Sequence, residues 1–155
     1  MPKPRRYTDK EMMGIGLTYF KYYKWEKYNL ATNIDRFKSQ FGVIPETANA
    51  IWNALIDTDN VEAKLLRGPE SKPKYLLMTL RWLFTYETER QLGPHFDIHS
   101  TNTTGRYLKV WARKIQMLLF PLVRFSDRDP TENLISLQLT LIVVCVASDW
   151  QHLGS

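Results

Sequence analysis

The chain has 155 residues, which is enough for one domain or two very small ones. Its 44% hydrophobic and 13% aromatic residues can form a core, so global disorder is excluded. The formal net charge is +5, and a single cysteine excludes both a disulfide framework and a cysteine-rich zinc site.

The positive charge is concentrated in two blocks of the sequence. Residues 1–28 have a net charge of +4 and residues 72–118 a net charge of +5, whereas 29–71 and 119–155 each have −2. A localised cationic block is typical of a surface for a polyanionic partner, although a solvated face without a partner has the same composition. The basic N terminus is not a secretory signal, and the longest apolar run is too short to span a bilayer. We therefore predict an intracellular protein that is neither secreted nor inserted in a membrane.

Residues 1–28 are predicted to form a basic, aromatic N-terminal helix. In the stretch YFKYYKWEKY (19–28), aromatic residues alternate with Lys21, Lys24 and Lys27. On a helix the three lysines share one broad face, and the aromatic side chains pack on the core, which is the usual role of a helical aromatic stripe. The alternative is that the rings stack on bases, as in proteins that bind single strands.

Residues 29–67 are predicted to form a first helix-turn-helix-like unit. Gly42 ends its first helix, Pro45 opens the second, and Ile44 between them is a weak N-cap. The second helix has one buried stripe, formed by Ala48, Ile51, Trp52 and Leu55. Its other side shows polar residues and no cation: Glu46, Thr47, Asn49 and Asn53. We interpret this unit as structural or as a contact surface.

Residues 73–119 repeat this pattern as a second helix-turn-helix unit. The preceding break RGPESKP is followed by a segment, 74–84, that is apolar on nearly every side and predicts a central helix. The next helix contains Gly93-Pro94 and is predicted to be split or shortened there, because proline removes a hydrogen bond and clashes with the preceding turn. Ser100 then caps the last helix of the unit.

That last helix is the candidate DNA-recognition element. In helix-turn-helix proteins the second helix enters the major groove, and its first turns contact base edges. Arg106 is assigned to a base edge and the cations behind it to phosphates, while Gly105 would allow the backbone to approach DNA. The predicted DNA-binding residues are Thr101, Asn102, Thr103, Arg106, Lys109, Arg113 and Lys114. A packed helix pair with a solvated basic side would have the same features.

The titratable residues elsewhere give weak signals for catalysis or metal binding. His95 and His99 are four residues apart, but a proline and the turn interrupt the helix that would align them. Asp127, Asp129 and Glu132 fall in one loop, whereas two-metal chemistry requires carboxylates from separate elements. We therefore predict no bound metal and no cofactor.

Residues 120–155 are predicted to contain a loop and one orphan β-strand. The stretch NLISLQLTLIVVCVAS (133–148) first alternates apolar and polar residues and then becomes wholly apolar, as in a strand that enters a sheet. Cys145 within it is expected to be inert, because burial opposes thiolate formation. A lone strand is not stable by itself, so we expect either that its partners are missing downstream or that this tail is disordered or prone to associate. The predicted fold class is mainly α, with tandem helix-turn-helix units and this short C-terminal strand.

Three stretches together resemble the N-terminal helical region of eukaryotic Harbinger-type DDE transposases: RFKSQFGVIPETANAIW, PKYLLMTLRWLFTYETERQLGPHFDIH and TGRYLKVWARKI. The resemblance covers roughly residues 30–135 and rests on the order of the elements. It implies a helix-turn-helix region before an RNase H-like domain, whose first strand carries a catalytic Asp in a Val-Asp-Gly context. Here Val143 and Val144 stand where the acid and the glycine are expected, and Asp149 is out of place. The resemblance thus implies a fragment truncated near the start of the catalytic domain.

Together these features predict a transposase-derived protein that binds double-stranded DNA in the nucleus and is not an enzyme. The alternative is a helical protein–protein interaction module without DNA affinity. No oligomeric state is predicted.

Overall fold

The structure is a computed structural model that describes residues 5–58 and 72–125, with the side chains of the last helix described as far as Ile115. Within these ranges the α-helices are α1 (Asp9–Tyr19), α2 (Leu30–Phe41), α3 (Pro45–Thr58), α4 (Lys74–Thr85), α5 (Glu89–Leu92) and α6 (Thr101–Phe125). Two 3-10 helices, Trp25–Lys27 and Gly93–Phe96, lie before α2 and after α5. The described ranges contain no strand, so the predicted mainly helical class is confirmed. The predicted strand, the acidic loop before it and Cys145 lie outside the described residues.

Short-range sequence signals determine where the helices begin and end. The Thr8 hydroxyl accepts a hydrogen bond from the Glu11 amide, and the Glu11 carboxylate accepts one from the Thr8 amide, both at 3.1 Å. This reciprocal capping box opens α1. Gly42 ends α2 with a φ of +77°, a conformation that favours glycine, and Pro45 opens α3. Both boundaries of the predicted first turn are therefore confirmed.

The predicted N-terminal helix of residues 1–28 is present as α1, but its continuation beyond Tyr19 is wrong. α1 ends at Tyr19, Lys21 has a φ of +68°, and the chain then turns back through the 3-10 helix Trp25–Lys27. Aromatic side chains lose rotamer freedom in a helix, so a run of them holds a helix weakly. The turn brings the Trp25 indole over α1, where a Cβ on Gly14 would lie only 2.6 Å from the ring. The chain therefore turns back and packs the Trp25 ring on α1 instead of continuing the helix.

The core lies between α1, α2, α3, α4 and α6. α1 packs on α2 and α3, α4 packs on α2 and α6, and α3 contacts α6. α4 is central, as the sequence predicted, and its buried residues are Tyr75, Leu76, Leu77, Met78, Thr79, Leu80 and Leu83. Each fully buried Leu or Met contributes about 1.5–3 kcal/mol relative to an exposed position, so a helix buried on several sides anchors the others.

Aromatic rings join the second helices of the two units. Trp52 of α3 and Trp111 of α6 are fully buried and stack with ring centroids 6.4 Å apart and an interplanar angle of 14°. Beside them, Tyr75 of α4 stacks on Tyr107 of α6 at 4.1 Å. The two helix pairs therefore share one core.

The polar side of α3 is more covered than the sequence predicted. Thr47 is fully buried and Asn49 is 4% exposed, whereas Glu46 remains exposed. The Asn49 amide nitrogen donates to the Tyr7 carbonyl at 2.9 Å and to the Asp9 carboxylate at 2.8 Å. The segment before α1 thus lies over this side of α3, and that long-range contact explains the difference.

Candidate nucleic-acid interface

The turn into α6 is closed by local geometry and a side-chain cap. α5 ends at Leu92 and the chain continues as the 3-10 helix Gly93–Phe96, so the helix is split at the proline, as predicted. Asp97 follows with a φ of +58°. The Ser100 hydroxyl then accepts a hydrogen bond from the Thr103 amide at 3.3 Å, which confirms the predicted N-cap of α6. These contacts fix the direction in which α6 leaves the turn.

The first turn of α6 places its polar residues in different surroundings. Thr101 and Asn102 are exposed, Thr103 is half-buried and Thr104 is fully buried. The Thr104 hydroxyl donates to the Ser100 carbonyl at 3.1 Å. Thr101 and Asn102 are therefore the side chains of this turn that are most open to a ligand.

One flank of α6 carries a row of cations. Arg106, Lys109 and Arg113 are all exposed, and Asn102 begins the row one turn earlier. At about 100° per residue, these four positions fall within an arc of about 60° and extend over about 16 Å of the helix. We call them the cationic flank. The opposite side buries Leu108, Trp111 and Ile115. The predicted exposure of Arg106 and Lys109 on one side of the helix is confirmed.

The cations of the flank have no acidic partner in the part of the chain that the structure describes. The ion pairs found there involve Arg5, Arg6, Arg81 and His95. Arg106 contacts the ring of the adjacent Tyr107, with its guanidinium carbon 5.5 Å from the centroid. The positive charge of the cationic flank is therefore not neutralised by an ion pair within these residues.

Arg81, unlike the cations of the flank, has an acidic partner inside the molecule. Its guanidinium donates to the Glu87 carboxylate and to the Gln40 carbonyl, the latter at 2.9 Å, and lies 4.5 Å from the Phe20 ring centroid. Only 11% of its side chain is exposed. This arginine joins α4 to α2, and its charge is compensated inside the molecule.

Two residues of the predicted interface lie on other sides of α6. Lys114 is only 8% exposed, and its ammonium group lies 5.1 Å from the Trp111 ring centroid, so its assignment to a phosphate contact is wrong. Gly105 is buried against α5, where a Cβ would lie 2.9 Å from the Glu89 carboxylate. It allows α5 and α6 to pack closely, and the predicted approach of DNA at this glycine is also wrong.

The two histidines considered as metal ligands have different environments. The His95 Nε2 atom lies 3.5 Å from the Glu87 carboxylate, and its ring packs 5.0 Å from the Phe20 ring. His99 is exposed beyond the turn. Within residues 5–58 and 72–125 no three His, Cys, Asp or Glu side chains are grouped so that they could hold a metal ion.

A second cationic region lies at the end of α1, in the stretch for which the sequence left base stacking open as an alternative. It is a shallow groove of about 390 Å³ that we call the aromatic groove, lined by Lys21, Tyr22, Tyr23, Lys24, Trp25, Tyr28 and Arg36. The preferred prediction placed these rings in the core of a continuous helix, and the alternative left them free to stack on bases. The density of Tyr and Lys in residues 19–28 was the available signal, but Arg36 joins them only through the turn before α2.

A wider cleft of about 660 Å³ lies on the other side of Tyr28. Its wall includes Met13, Ile34 and Pro45, and its carboxylates are Asp9, Glu26 and Glu46. Carboxylates repel phosphates at close range, so this cleft does not suit a nucleic-acid backbone.

Comparisons with known proteins add no relative: no family model, no curated protein and no solved structure matches the chain. The resemblance to Harbinger-type transposases therefore stays a prediction. None of the helices in the described ranges has the length and apolar composition that crossing a bilayer requires.

Proposed function

We propose that this chain binds double-stranded DNA through the cationic flank of α6. The observation that carries the proposal is the alignment of Asn102, Arg106, Lys109 and Arg113 on one exposed side of a capped helix. Helix-turn-helix proteins insert their second helix into the major groove, which is about 12 Å wide and admits one α-helix. A row of unneutralised cations on that helix attracts the phosphates at the edges of the groove.

The positions along the helix suggest separate roles. Asn102 and Arg106 lie in the first two turns, where side chains reach base edges. A paired contact from Arg106 to guanine, or from Asn102 to adenine, would contribute about 1–3 kcal/mol of discrimination. Lys109 and Arg113 lie farther along the helix and would contact phosphates, each contributing about 0.9 to the slope of log K against log salt.

The origin and cellular role rest on the resemblance alone. We propose that the chain derives from a Harbinger-type transposase, acts in the nucleus and lacks DNA-cleaving activity. The order of the helical elements supports this origin. The positions at which the catalytic Asp would be expected, Val143 and Val144, lie outside the described residues.

Titration of a labelled duplex by fluorescence anisotropy, at about 50 and about 200 mM salt, tests the proposal. Replacing Arg106, Lys109 and Arg113 together by Ala should reduce the salt slope by about 1.8, from the two phosphate contacts of Lys109 and Arg113. Binding at the lower salt should weaken further through the loss of the Arg106 contact to guanine. All three side chains are exposed, so the far-UV circular dichroism of the variant should stay unchanged.

Two control variants make this test specific for the flank. Lys38→Ala removes an exposed cation from α2, and Lys114→Met removes the buried cation of α6. Both should retain the salt slope of the parent protein. A folded triple variant with the affinity and slope of the parent would exclude the flank as the DNA-binding surface.

A protein–protein interaction module is the second candidate, and the cleft beside Tyr28 favours it. An apolar wall with the carboxylates of Asp9, Glu26 and Glu46 suits a basic amphipathic segment of a partner. This function would be preferred if duplex DNA does not bind at low salt while such a peptide binds and is released by Glu46→Lys.

A further inference from the structure

The aromatic groove presents exposed rings beside cations. Tyr23 is 69% exposed and Tyr28 is 50% exposed, although large aromatic side chains are usually covered in a folded chain. Within the described ranges Tyr23 makes no ring–ring or cation–π contact. Its ring therefore offers a face to solvent.

Arg36 supplies a pre-oriented cation to the same groove. Its guanidinium carbon lies 4.9 Å from the Tyr22 ring centroid and 4.1 Å from the Tyr28 centroid. The two rings hold the guanidinium plane by cation–π contacts. A guanidinium held in this way can donate two parallel N–H hydrogen bonds from its edge to two oxygens of a phosphate. Neither Arg36 nor Lys21 nor Lys24 belongs to an ion pair among the described residues.

Lys21 occupies a backbone position that would suit glycine better. Its φ of +68° lies in the left-handed region, and its amide donates to the Thr18 carbonyl at 3.1 Å. The Tyr22 amide donates to the Leu17 carbonyl, also at 3.1 Å, so the end of α1 has the geometry of a Schellman motif. The turn itself does not require a lysine, and the lysine places an additional charge in the groove.

We propose that the aromatic groove binds single-stranded nucleic acid. Bases stack on the exposed ring of Tyr23, while Tyr22 and Tyr28 hold Arg36 in place. Arg36, Lys21 and Lys24 contact the phosphates, as in sequence-tolerant single-strand sites. In a duplex the faces of the bases are already stacked on one another, so they cannot stack on the exposed Tyr23 ring. The groove therefore takes a ligand different from that of the cationic flank, and this inference does not depend on the proposed function.

Binding of labelled oligothymidylate and oligouridylate, measured by fluorescence anisotropy, tests the inference and distinguishes DNA from RNA. Tyr23→Ala should weaken binding by a factor between about 5 and about 100, which corresponds to the loss of one base–ring stack. Tyr23→Phe keeps the ring and should retain the affinity of the parent protein. Because Tyr23 is largely exposed, both variants should fold.

Lys21→Gly separates binding from stability. Glycine adopts the left-handed conformation without strain, so the variant should melt at the same or a higher temperature. It should nevertheless bind the oligonucleotides more weakly, with a salt slope reduced by about 0.7. A merely structural role for Lys21 would give the stability effect without the loss of binding.

Lys109→Ala distinguishes this site from the duplex site. It should weaken duplex binding and leave oligothymidylate binding unchanged, whereas Tyr23→Ala should do the reverse. The inference is overturned if neither oligonucleotide binds, if Tyr23→Ala binds as tightly as the parent, or if Lys109→Ala weakens oligothymidylate as much as Tyr23→Ala does. Equal binding of a heparin oligosaccharide, insensitive to Tyr23→Ala, would also overturn it, since that result would show a general polyanion surface.

Discussion

α3 and α6 occupy corresponding places in the two helix pairs, yet they meet the solvent in different ways. Each buries one tryptophan completely, and the two indoles stack on each other. On the outer side, Ala50 and Asn53 of α3 are half-buried, whereas Arg106 and Lys109 at the corresponding positions of α6 are exposed. The apolar spacing determines the inner side of both helices, and the outer side depends on which other segment of the chain lies against it.

The segment before α1 makes this difference. The Arg5 carbonyl accepts a hydrogen bond from the Trp52 indole at 2.8 Å, and the Arg6 guanidinium pairs with Asp57 at the end of α3. Arg5 also pairs with Glu11. Part of the N-terminal cationic block is therefore paired inside the molecule, whereas the cations of the flank, Arg106, Lys109 and Arg113, have no ion-pair partner among the described residues. A local excess of positive charge in a sequence does not by itself indicate a binding surface.

The largest loss of stability is expected for variants of the stacked tryptophans, Trp52 of α3 and Trp111 of α6. Trp52→Ala and Trp111→Ala should each reduce the free energy of unfolding by about 3–5 kcal/mol, as measured by urea denaturation, because both rings are fully buried. A loss confined to one of them would contradict a shared core.

Replacement by Phe serves as the matched control for these two positions. The Trp52 indole nitrogen donates to the Arg5 carbonyl, whereas the Trp111 nitrogen is buried without a hydrogen-bond partner among the described residues. Trp52→Phe should therefore cost about 1 kcal/mol more than Trp111→Phe.

A smaller difference in the free energy of unfolding is expected between the Ala variants of Asn49 and Asn102. Asn49→Ala leaves the Tyr7 carbonyl and the Asp9 carboxylate without their donor and should cost about 1–3 kcal/mol in urea denaturation. Asn102→Ala should change the free energy of unfolding by less than about 0.5 kcal/mol, since it alters an exposed side chain. Equal losses would mean that the outer side of α6 is also covered.

The smallest expected effect is on the pH dependence of the free energy of unfolding, through Tyr19 at the end of α1. Burial, followed by the charge of Asp97 and the nearby Tyr7, raises the pKa of Tyr19 above its ordinary value of 10.0. The folded state therefore holds this proton more tightly than the unfolded state, and the resulting stability is present below pH 10 and is lost as pH rises toward the raised pKa.

Tyr19→Phe should lose less stability than the parent protein between about pH 10 and the raised pKa, as measured by urea denaturation at several pH values. Tyr23→Phe is the matched control, because it removes the hydroxyl of an exposed tyrosine. Parallel pH curves for the parent and Tyr19→Phe would contradict this linkage.

The sequence predicted those features that depend on neighbours along the chain. Gly42, Pro45 and Ser100 mark helix boundaries through their own backbone or side-chain chemistry, and the proline after Gly93 splits its helix. The apolar stripes of α3 and α6 also follow from their spacing alone. The fold class could therefore be predicted without any long-range contact.

The errors concern residues whose environment is set by distant parts of the chain. Lys114 is about 100° around the helix from Arg113, at the border of the apolar side, and its burial over Trp111 depends on how the helices pack. Asn49 is covered by a segment about 40 residues earlier. The aromatic groove needs the chain to reverse after Tyr19, which brings Arg36 of α2 beside Tyr22 and Tyr28 of the preceding turn.

The stacked indoles also make the two helix pairs dependent on each other. A fragment that ends after α3 would expose the face of Trp52 that Trp111 covers, and a fragment that begins at α4 would expose Trp111. Large apolar rings placed in water promote self-association. Each half produced alone would therefore aggregate, so the two proposed binding surfaces can be tested only on the undivided chain.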